Sequence, residues 1–562
     1  MNELTGAEAM VRMLQAHGVD TIFGLCGDTS LPFYDALYRI GGKTQHVLSR
    51  DERSAAYMAD CYARVSGKVG ICEGPSGGGA TYILPGVVEA NESSVPIMAI
   101  TTDIAVSSRG RFALTELDQQ ALFRPLSKWN QVIDRSADVP KVMRAAFRAM
   151  TTGRPGATHI GLPFDVQKGP VDEANVWADE ALGRYPAWRS GPDPAAVEAA
   201  AEALVSASFP VIVCGGGVVI SGAEAELLRL AEALGCVVAT TISGQGSIPE
   251  THPLGLGVVG SNGGVIETRA VVEKADLVFF IGCRAGSVTT ERWQFPAPGS
   301  AKVVHLDIDP AVIGANYETA AALVGDARLG LAAIADAVTE LAPKQVREAK
   351  AVVENAKRAK YAAFNALAES NETPIKPERV VATLRRLLDD DAIIVADPGT
   401  PCPYLSGFYE IRETGRTLIS NRAHGALGYS MAGAVGASFG RPGVKVVSVM
   451  GDGSFGFTSG ELETIVRLGV PVTMIVFSNS VFGWIKAGQK TGFEERYYSV
   501  DFSRTDHARV AEAFGVKAWQ VEDPSKLEGA LKAALAHDGP SLVDVIAQPL
   551  QDAKAPVSEW VA

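Results

Sequence analysis

A glycine turn that carries an aspartate is the first chemical feature of the chain. The segment SVMGDGSFGFTSGELETI places this turn, centred on Asp452, after an apolar strand pattern and before a helix pattern that begins at Glu461. A glycine turn at the end of a strand usually leaves room for a phosphate group. A carboxylate in such a turn would repel the phosphate unless a divalent cation lay between them. The turn therefore predicts a phosphate-bearing ligand held through a metal ion.

A second oxygen ligand follows one helix pattern and one strand pattern later. The strand pattern VPVTMIVF ends at Ser478, and Asn479 comes next. Because adjacent parallel strands place their carboxyl ends at the same edge of a sheet, we expect Asp452 and Asn479 to converge. Together with the backbone carbonyl of Val481 and phosphate oxygens, they would complete an octahedral Mg²⁺ site.

This combination resembles the thiamine-diphosphate enzymes, whose signature is Gly-Asp-Gly followed, one helix and one strand later, by Asn-Asn. Ser478 stands in place of the first asparagine, and Asn479 matches the second, metal-binding one. The resemblance covers essentially the whole chain and points to the group of acetolactate synthases, 2-hydroxyacyl-CoA lyases and oxalyl-CoA decarboxylases. It implies thiamine diphosphate and Mg²⁺ as cofactors. The implied diphosphate and metal contacts are Gly451, Asp452, Gly453, Ser454, Asn479 and Val481.

Two further segments resemble parts of the same family. LSRDERSAAYMADCYARVSG is similar to the helix that carries the acid beside N1′ of the cofactor's aminopyrimidine, and Glu52 takes that position. A buried acid in that place would have a raised pKa, although the residue pattern alone also fits a helix-start glutamate that complements the helix dipole. HGALGYSMAGAVGA resembles the segment that props the cofactor in its bent shape, which assigns Gly425 and Leu427 to cofactor binding.

The residues expected near the substrate differ from those of the acetolactate synthases. Leu114 and Thr115 replace the Phe-Gln of those enzymes, and Gly488 stands near the position of their tryptophan, which predicts a wider mouth. These departures favour a 2-hydroxyacyl-CoA lyase-like enzyme that cleaves or joins an acyl-CoA substrate, with the short tail APVSEWVA nearby. The alternative is an acetolactate synthase-like 2-oxoacid decarboxylase and carboligase. Either is a thiamine-diphosphate-dependent carbon–carbon lyase or transferase that acts through a C2 carbanion and an enamine.

Two acids are further candidates for the catalytic site. Asp28, in FGLCGDTSLPFYDAL, matches the Gly-Asp turn of pyruvate and indolepyruvate decarboxylases and is a candidate proton shuttle, but it also fits a simple turn. The histidine pair of those decarboxylases is missing, since no histidine lies between His46 and His159. Glu494 follows the metal loop, where relatives contact substrate, and a solvated charged loop is the alternative for it.

Strand and helix patterns alternate along the whole chain. Short, nearly continuous apolar strands separated by helical patterns predict an α/β protein with doubly wound parallel sheets. Polar, proline-punctuated stretches at 167–195 and 343–377 divide the chain. The predicted domains are a pyrimidine-binding domain at 1–166, a middle domain at 196–341 and a diphosphate-binding domain at 378–548, followed by a tail at 549–562.

The predicted middle domain resembles those that hold FAD in acetolactate synthases and ADP in oxalyl-CoA decarboxylases. Its glycine turns and strand ends offer candidate nucleotide contacts at Gly216, Arg284, Asp309 and Asp326. Because such glycine turns are generic, a domain that keeps the fold without a nucleotide remains an equal alternative.

The composition of the 562 residues limits the remaining classes. A net charge of −13 without a Lys/Arg cluster argues against nucleic acid, and seven scattered cysteines indicate reduced thiols. Without an apolar run near the roughly 18 residues that span a bilayer, we expect a cytoplasmic protein that acts on a small molecule.

The resemblance implies a homodimer, often a tetramer, in which Glu52 and Asp452 come from different subunits. A Rossmann dehydrogenase lacks its glycine spacing here, and a silent regulatory homologue would be expected to lose Glu52, Asp452 or Asn479.

Overall fold

The structure is a computed structural model that describes residues 3–342 and 348–553. The chain forms two compact units, each assembled from separate stretches. The first contains Met1–Trp188, Asn421–Val444 and Phe457–Val472, and the second contains Arg189–Ser420, Lys445–Gly456 and Thr473–Ala562.

The amino-terminal stretch builds a six-stranded parallel sheet in the order β3-β2-β4-β5-β7-β6, and β1 pairs with β8 in a separate antiparallel ribbon. Its central strands β4 and β5 are buried along their whole length, as expected for a sheet covered on both faces. The elements are β1 (Glu3–Thr5), α1 (Gly6–Ala16), β2 (Thr21–Gly24), α2 (Leu31–Ile40), β3 (Gln45–Leu48), α3 (Glu52–Ser66), β4 (Gly70–Gly74), α4 (Gly78–Tyr82), α5 (Leu84–Glu92), β5 (Ile97–Asp103), α6 (Gln119–Phe123), β6 (Trp129–Val132), α7 (Val139–Thr151), β7 (Thr158–Pro163), α8 (Phe164–Lys168) and β8 (Pro170–Asp172).

The middle stretch builds a second parallel sheet in the order β11-β10-β9-β12-β13-β14. Apolar side chains from β9 and β12 pack with those of α9, α11 and α13 into one buried core. The elements are α9 (Pro194–Ser206), β9 (Pro210–Cys214), α10 (Gly216–Ser221), α11 (Glu224–Leu234), β10 (Val237–Thr240), β11 (Gly255–Val258), α12 (Ile266–Val272), β12 (Leu277–Ile281), β13 (Lys302–Asp307), β14 (Ala321–Val324) and α13 (Ala327–Glu340).

The carboxyl-terminal stretch builds the third parallel sheet in the order β16-β15-β17-β18-β20-β19. The elements are α14 (Ala349–Ala368), α15 (Pro377–Leu387), β15 (Ile393–Ala396), α16 (Pro401–Phe408), β16 (Leu418–Ser420), α17 (Ser430–Gly440), β17 (Val446–Gly451), α18 (Asp452–Thr458), α19 (Glu461–Leu468), β18 (Thr473–Ser478), α20 (Gly483–Gly492), α21 (His507–Ala513), β19 (Lys517–Val521), α22 (Pro524–Leu535) and β20 (Ser541–Ile546). Three parallel six-stranded sheets with helices confirm the predicted α/β class.

Helices α3 and α17 pack closely within the first unit. The two backbones approach so closely that a Cβ atom on Gly436 would lie 1.9 Å from the carbonyl oxygen of Met58. Tyr429, at the start of α17, donates a hydrogen bond from its hydroxyl to the buried Asp60 carboxylate of α3. Gly436 therefore serves a packing role that no residue with a Cβ atom can fill without a shift of one helix.

None of the helices in the described residues is long and apolar enough to cross a membrane. Of the predicted tail, residues 549–553 are described, and a short turn at Leu550–Asp552 lies there. The segment APVSEWVA lies outside the described residues.

Candidate active site

The Asp452 carboxylate lies at the carboxyl edge of the third sheet. Strands β17 and β18 are adjacent and parallel, with Gly451 paired to Phe477, so the turns that follow them emerge side by side. Asp452 Oδ2 accepts hydrogen bonds from the backbone N–H groups of Asn479 (2.8 Å) and Ser480 (2.6 Å). Oδ1 accepts the N–H of Gly453 at 2.8 Å. The structure thus brings together the two turns that carry Asp452 and Asn479.

The Asp452 carboxylate retains a lone pair that could bind a hard cation. Asp452 is 5% exposed, and burial raises the pKa of its carboxyl, although the three backbone N–H groups oppose that shift. A carboxylate offers about four lone-pair positions, so three N–H donors leave room for one further ligand. A nearby divalent cation would counteract the burial penalty on the charged form.

The donor set around Asp452 is made of oxygen atoms. Asn479 contributes its amide Oδ1, which lies 3.3 Å from the N–H of Val481, and Val481 is buried with its carbonyl in the same loop. Carboxylate, amide and carbonyl oxygens are the ligands that Mg²⁺ prefers, usually together with phosphate oxygens. The described residues contain no cluster of three His, Cys, Asp or Glu side chains that could hold a metal by themselves. A metal here would therefore depend on the amide, the carbonyl and the ligand's own phosphate.

The two glycines of the turn have different surroundings. A Cβ atom on Gly453 would lie 2.7 Å from the ring of Phe482, so a side chain at that position would require the ring to move. A Cβ on Gly451 would meet nothing within 4 Å, which shows open space beside the backbone. Ser454, one residue beyond the turn, is buried. The open space therefore lies at Gly451, one of the residues that the sequence analysis expects to contact a diphosphate group.

A buried polar cluster fixes the end of β18, and sequence reasoning missed it. The Ser478 hydroxyl donates to Asp544 and lies 2.9 Å from His507 Nδ1. Asp544 also accepts the backbone N–H of His507 at 3.2 Å and the side-chain amide of Gln520 at 2.9 Å. Burial opposes ionisation, but hydrogen bonds from His507, Gln520 and Ser478 lower the pKa of Asp544. The one available signal was Ser478 itself, which departs from the family's asparagine.

Glu52 begins helix α3 in the first unit. The side chain of Asp51 caps this helix by accepting the backbone N–H of Arg53, and Glu52 follows directly inside the first turn. Glu52 is 6% exposed, and burial, assisted by the negative charge of Asp51, raises the pKa of its carboxyl.

Two glycines leave space around the Glu52 carboxyl. A Cβ atom on Gly79 would lie 3.1 Å from Glu52 Oε1, and one on Gly74 would lie 3.1 Å from its Cγ. The result is a cradle that side chains would fill, beside a carboxyl that retains its proton more readily than usual. This arrangement fits an acid that faces a planar ring.

The other predicted site residues have more exposed environments. Gly425 adopts a left-handed conformation with φ 72°, and Leu427 is half-buried two residues later. Asp28 is exposed at the start of a short 3₁₀ turn. Glu494 is 86% exposed and forms an ion pair with Arg496 at 2.6 Å, which matches the solvated-loop alternative.

In the middle stretch, the predicted nucleotide contacts have differing environments. Gly216 begins α10 and is half-buried, whereas Arg284 is exposed. The Asp309 carboxylate accepts the N–H of Ala311. Asp326 is buried, caps α13, and pairs with Arg189 at 2.8 Å, so structural contacts already engage its carboxylate.

Buried polar atoms elsewhere in that stretch were missed by sequence reasoning. Thr240 ends β10, and Ser261 and Asn262 follow β11, the adjacent parallel strand. Among the described residues, Thr240 Oγ1, Ser261 Oγ and Asn262 Oδ1 are buried without a hydrogen-bond partner. Buried polar groups are normally satisfied, so these atoms indicate a polar ligand or water at this edge of the second sheet.

Comparison with known families gives three matches along the chain. The thiamine pyrophosphate enzyme, N-terminal TPP binding domain, matches residues 4–122. The central domain of the same enzymes matches residues 197–334, and their C-terminal TPP binding domain matches residues 397–545. The three matches follow one another in the order of the three parallel sheets.

Curated relatives match over nearly the full length. The chain is 36% identical over 557 residues to a probable acetolactate synthase large subunit from Methanocaldococcus jannaschii, covering 98% of this chain and 93% of the relative. It is 32% identical over 557 residues to an acetolactate synthase from Mycobacterium bovis, covering 97% and 88%. It is also 32% identical over 541 residues to the acetolactate synthase isozyme 3 large subunit of Escherichia coli, covering 95% and 93%.

Proposed function

Because the chain belongs to the thiamine-diphosphate-dependent enzymes, we propose that it is an acetolactate synthase-like 2-oxoacid decarboxylase and carboligase. All of the relatives described above carry the name acetolactate synthase, and they align over nearly the whole chain. These names favour the 2-oxoacid alternative over the acyl-CoA lyase that the substrate-side departures suggested. Nothing supports the acyl-CoA interpretation, and Glu494, one of the residues invoked for the substrate side, is a solvent-exposed ion pair.

The contact between Asp452 and the Asn479–Ser480 backbone carries the proposal. The proposal is supported by this contact, which joins the turn of Asp452 to the loop that carries Asn479 and Val481, and by the open space at Gly451. In this proposal Asp452, Asn479 and Val481 hold Mg²⁺, while Gly451, Gly453 and Ser454 line the diphosphate. Thiamine diphosphate, when bound, would supply a nucleophilic C2 carbon and a thiazolium ring that accepts the electron pair left by the substrate.

In this proposal Glu52 is the residue that transfers protons to and from the cofactor. Burial raises the pKa of its carboxyl, and in its protonated state the carboxyl can donate to the aminopyrimidine N1′. Gly74 and Gly79 leave the space that a ring requires next to this carboxyl. Leu427 and Gly425 are assigned to the cofactor's bent shape by resemblance alone.

Three finer assignments remain proposals. The domain boundaries at 1–166, 196–341 and 378–548 and the homodimer or tetramer follow from the resemblance. A nucleotide in the middle domain, FAD or ADP, is supported by the unpaired polar atoms of Thr240, Ser261 and Asn262. The absorbance spectrum of the purified protein decides between the two nucleotides, since bound FAD is yellow and ADP is colourless.

A substrate panel tests the proposed reaction. The protein is supplied with thiamine diphosphate and Mg²⁺ and incubated with pyruvate, longer 2-oxoacids or 2-hydroxyacyl-CoAs, and the products are identified by mass spectrometry. We expect carbon dioxide and a 2-hydroxy-2-alkyl-3-oxoacid from the 2-oxoacids. Turnover of the acyl-CoAs alone would overturn the proposal.

Two glutamine variants make the test specific to the site. Glu52→Gln is expected to lower turnover by roughly 10²- to 10⁴-fold, the usual contribution of a proton-transferring group, and to leave cofactor affinity unchanged. Glu92→Gln, at a surface position of the same unit, is the matched control and is expected to retain full turnover. Unchanged turnover in Glu52→Gln would remove the proton role from this residue.

A further inference from the structure

A second buried carboxyl lies next to Glu52 in the first unit. Glu73, on β4, is fully buried. Its Oε1 accepts a hydrogen bond from the Ser30 hydroxyl at 2.7 Å, and its Oε2 accepts one from the Tyr34 hydroxyl at 2.7 Å. In the described part of the chain no lysine or arginine pairs with it. A carboxylate buried without a cation is costly, so this residue calls for an explanation.

A row of hydroxyl groups connects Glu73 with the surface. Starting from the acid, the row consists of Ser30, Thr102, Thr29, Ser76 and Thr115. The successive oxygen–oxygen distances after the Ser30 contact are 3.1, 2.8, 3.2 and 2.7 Å. Ser30 and Thr102 are fully buried, whereas Thr115 is exposed. Since each hydroxyl can both donate and accept, the row can pass a proton stepwise between the buried acid and water.

The row passes through the turn that shapes the Glu52 cradle. Gly74 directly follows Glu73, and Ser76 lies in the turn that leads from Gly74 to α4, where Gly79 is located. Both glycines border the Glu52 side chain at the distances given above. The negative charge of Glu52 disfavours ionisation of Glu73, so the two acids are coupled through space.

Glu73 titrates close to neutrality. Burial raises the pKa of this carboxyl to about 8, hydrogen bonds from Tyr34 and Ser30 oppose the shift, and the Glu52 charge adds to it. The same group of elements brings three other titratable side chains to Glu73: Tyr34 from α2, His46 from β3 and Cys72 from its own strand.

These three neighbours keep their charge state near neutral pH. Burial lowers the pKa of His46 to about 4, so its ring, 2.9 Å from the Tyr34 hydroxyl, is neutral. Burial raises the pKa values of Tyr34 and Cys72 far above their ordinary range, so both retain their protons. Near neutral pH, Glu73 is therefore the member of this group whose charge changes.

We propose that Glu73 is a buried proton store that is coupled to the charge of Glu52 and equilibrates with solvent through the Ser30–Thr115 hydroxyl row. When Glu73 releases its proton to Ser30, Ser30 passes its own proton to Thr102, and the shift continues until Thr115 delivers one proton to water. The reverse sequence reloads the acid, so that one proton moves and no bond is oxidised or reduced. The negative charge of Glu52 holds this proton on Glu73, so the charge state of one acid sets how readily the other releases its proton. Glu73 is a positioning residue in this scheme, and its effect on catalysis rests on the proposed role of Glu52.

Infrared difference spectroscopy on the holoenzyme tests the proton store directly. A protonated carboxyl band is expected well below pH 8, is expected to disappear as the pH rises through about 8, and is expected to be missing in Glu73→Gln. A band that persists in Glu73→Gln, or no band at low pH, would overturn the proposal. The measurement needs no turnover, so a protein that fails to convert 2-oxoacids would refute the proposed function and still give a result here.

The hydroxyl row is tested by hydrogen–deuterium exchange of the same band. Thr102→Val removes the hydroxyl and keeps the shape, and it is expected to slow exchange at least tenfold relative to wild type, while Thr102→Ser is expected to retain fast exchange. Equal rates in all three proteins would remove the row from the scheme. If Thr102→Val does not fold, Ser30→Ala interrupts the row at its first hydroxyl and is expected to slow exchange in the same way.

The coupling to Glu52 is tested by the pH midpoint of the same infrared band. In Glu52→Gln the midpoint of the Glu73 band is expected to move by about one pH unit toward acid, because a neutral amide replaces the negative charge that disfavours ionisation of Glu73. Glu92→Gln serves as the control and is expected to leave the midpoint in place. An unmoved midpoint in Glu52→Gln would refute the coupling.

Discussion

At the residue scale, the carboxylate of Asp452 joins two loops that are distant in sequence. Three backbone N–H groups bind its oxygens, and 27 positions separate it from Asn479. Such contacts fix the direction in which the remaining lone pair points, and they do so before any cation binds. Preorganised oxygen ligands reduce the ordering cost of binding a metal.

Replacing Asp452 by Asn is expected to weaken Mg²⁺-dependent cofactor binding. The amide keeps the shape but presents a neutral oxygen and an NH₂ group that faces the N–H donors of the loop. We expect the apparent Kd for Mg²⁺, measured by calorimetry at fixed thiamine diphosphate, to rise by about 100-fold or more. Asp336→Asn, on an exposed surface aspartate, is the matched control. An unchanged Kd in Asp452→Asn would exclude Asp452 as a ligand.

The pKa of Glu73 predicts a pH-dependent free energy of unfolding. Its carboxyl has an ordinary value of 4.5 and a value of about 8 in the folded state, so folding is favoured while the proton is bound. This contribution is complete below pH 4.5 and is lost as the pH rises through about 8. At about 1.4 kcal/mol per pKa unit, wild type is expected to lose up to about 5 kcal/mol relative to Glu73→Gln across that window.

Chemical denaturation of wild type and Glu73→Gln at a series of pH values checks this expectation. The difference between the two free energies of unfolding is expected to change steadily between pH 4.5 and about 8 and to be constant outside that range. The surface variant Glu92→Gln is expected to follow wild type throughout. A pH-independent difference between wild type and Glu73→Gln would mean that Glu73 has the same pKa in the folded and the unfolded protein.

The sequence pointed to Asp452 and Asn479 because both residues follow strands that are consecutive in the chain. The buried hydrogen-bonded groups around Ser478 and Glu73 gave no such signal in the sequence. Ser478 contacts His507 and Asp544 across 29 and 66 positions, and Glu73 contacts Ser30 and Tyr34 across 43 and 39. Such partners meet only after the sheet order is known, and sheet order is a tertiary property.

At the element scale, close packing of two helices depends on glycine residues at the contact. Gly436 lies in the middle of α17, where its own Cβ would collide with the Met58 carbonyl of α3. Gly529 lies in the middle of α22 and would meet nothing within 4 Å. Glycine in a helix is destabilising relative to alanine unless close packing requires it.

A pair of alanine variants separates these two roles of glycine. Gly436→Ala is expected to lower the free energy of unfolding by about 2 kcal/mol or more, since either α3 or α17 has to shift to admit the methyl group. Gly529→Ala is expected to raise it by about 0.5–1 kcal/mol through the lower backbone entropy of the unfolded chain. Thermal denaturation of both variants gives the signs. A neutral Gly436→Ala would mean that the two helices are not packed this closely.

The element pattern was readable from the sequence for a physical reason. Strands buried on both faces form continuous apolar runs, and β4, β5 and β18 are buried throughout. The division of the chain into compact units was harder to predict from the sequence. Helices α17 and α19 associate with the amino-terminal stretch, although they lie between strands of the third sheet. Helix packing partners are set by side-chain fit, which a single sequence does not display.

At the scale of the whole molecule, family membership fixes the reaction class better than individual substitutions do. Leu114 and Thr115 suggested an acyl-CoA substrate because they depart from the acetolactate synthases. Thr115, however, forms a hydrogen bond with Ser76, and Leu114 is 89% exposed. A departure at an exposed position is weak evidence about a substrate, whereas identity over nearly the full chain constrains every element that positions the cofactor.

The proposed homodimer, with Glu52 and Asp452 contributed by different subunits, leads to a complementation experiment. Glu52→Gln and Asp452→Asn are each expected to be inactive. In a mixed dimer one site would carry both substitutions and the other neither. Random reassembly of equal amounts of the two variants makes half of the dimers mixed, so turnover is expected to recover to about a quarter of the wild-type value.

The outcome of this mixing discriminates between the two possible arrangements of the site. If both residues of a site came from one subunit, every site in every dimer would retain one substitution, and mixing would restore nothing. Mixing either variant with itself is the matched control for the reassembly step. Isotope labelling of one variant and native mass spectrometry of the mixture show whether subunits have exchanged. Exchange without recovery would therefore place Glu52 and Asp452 of each site on the same chain.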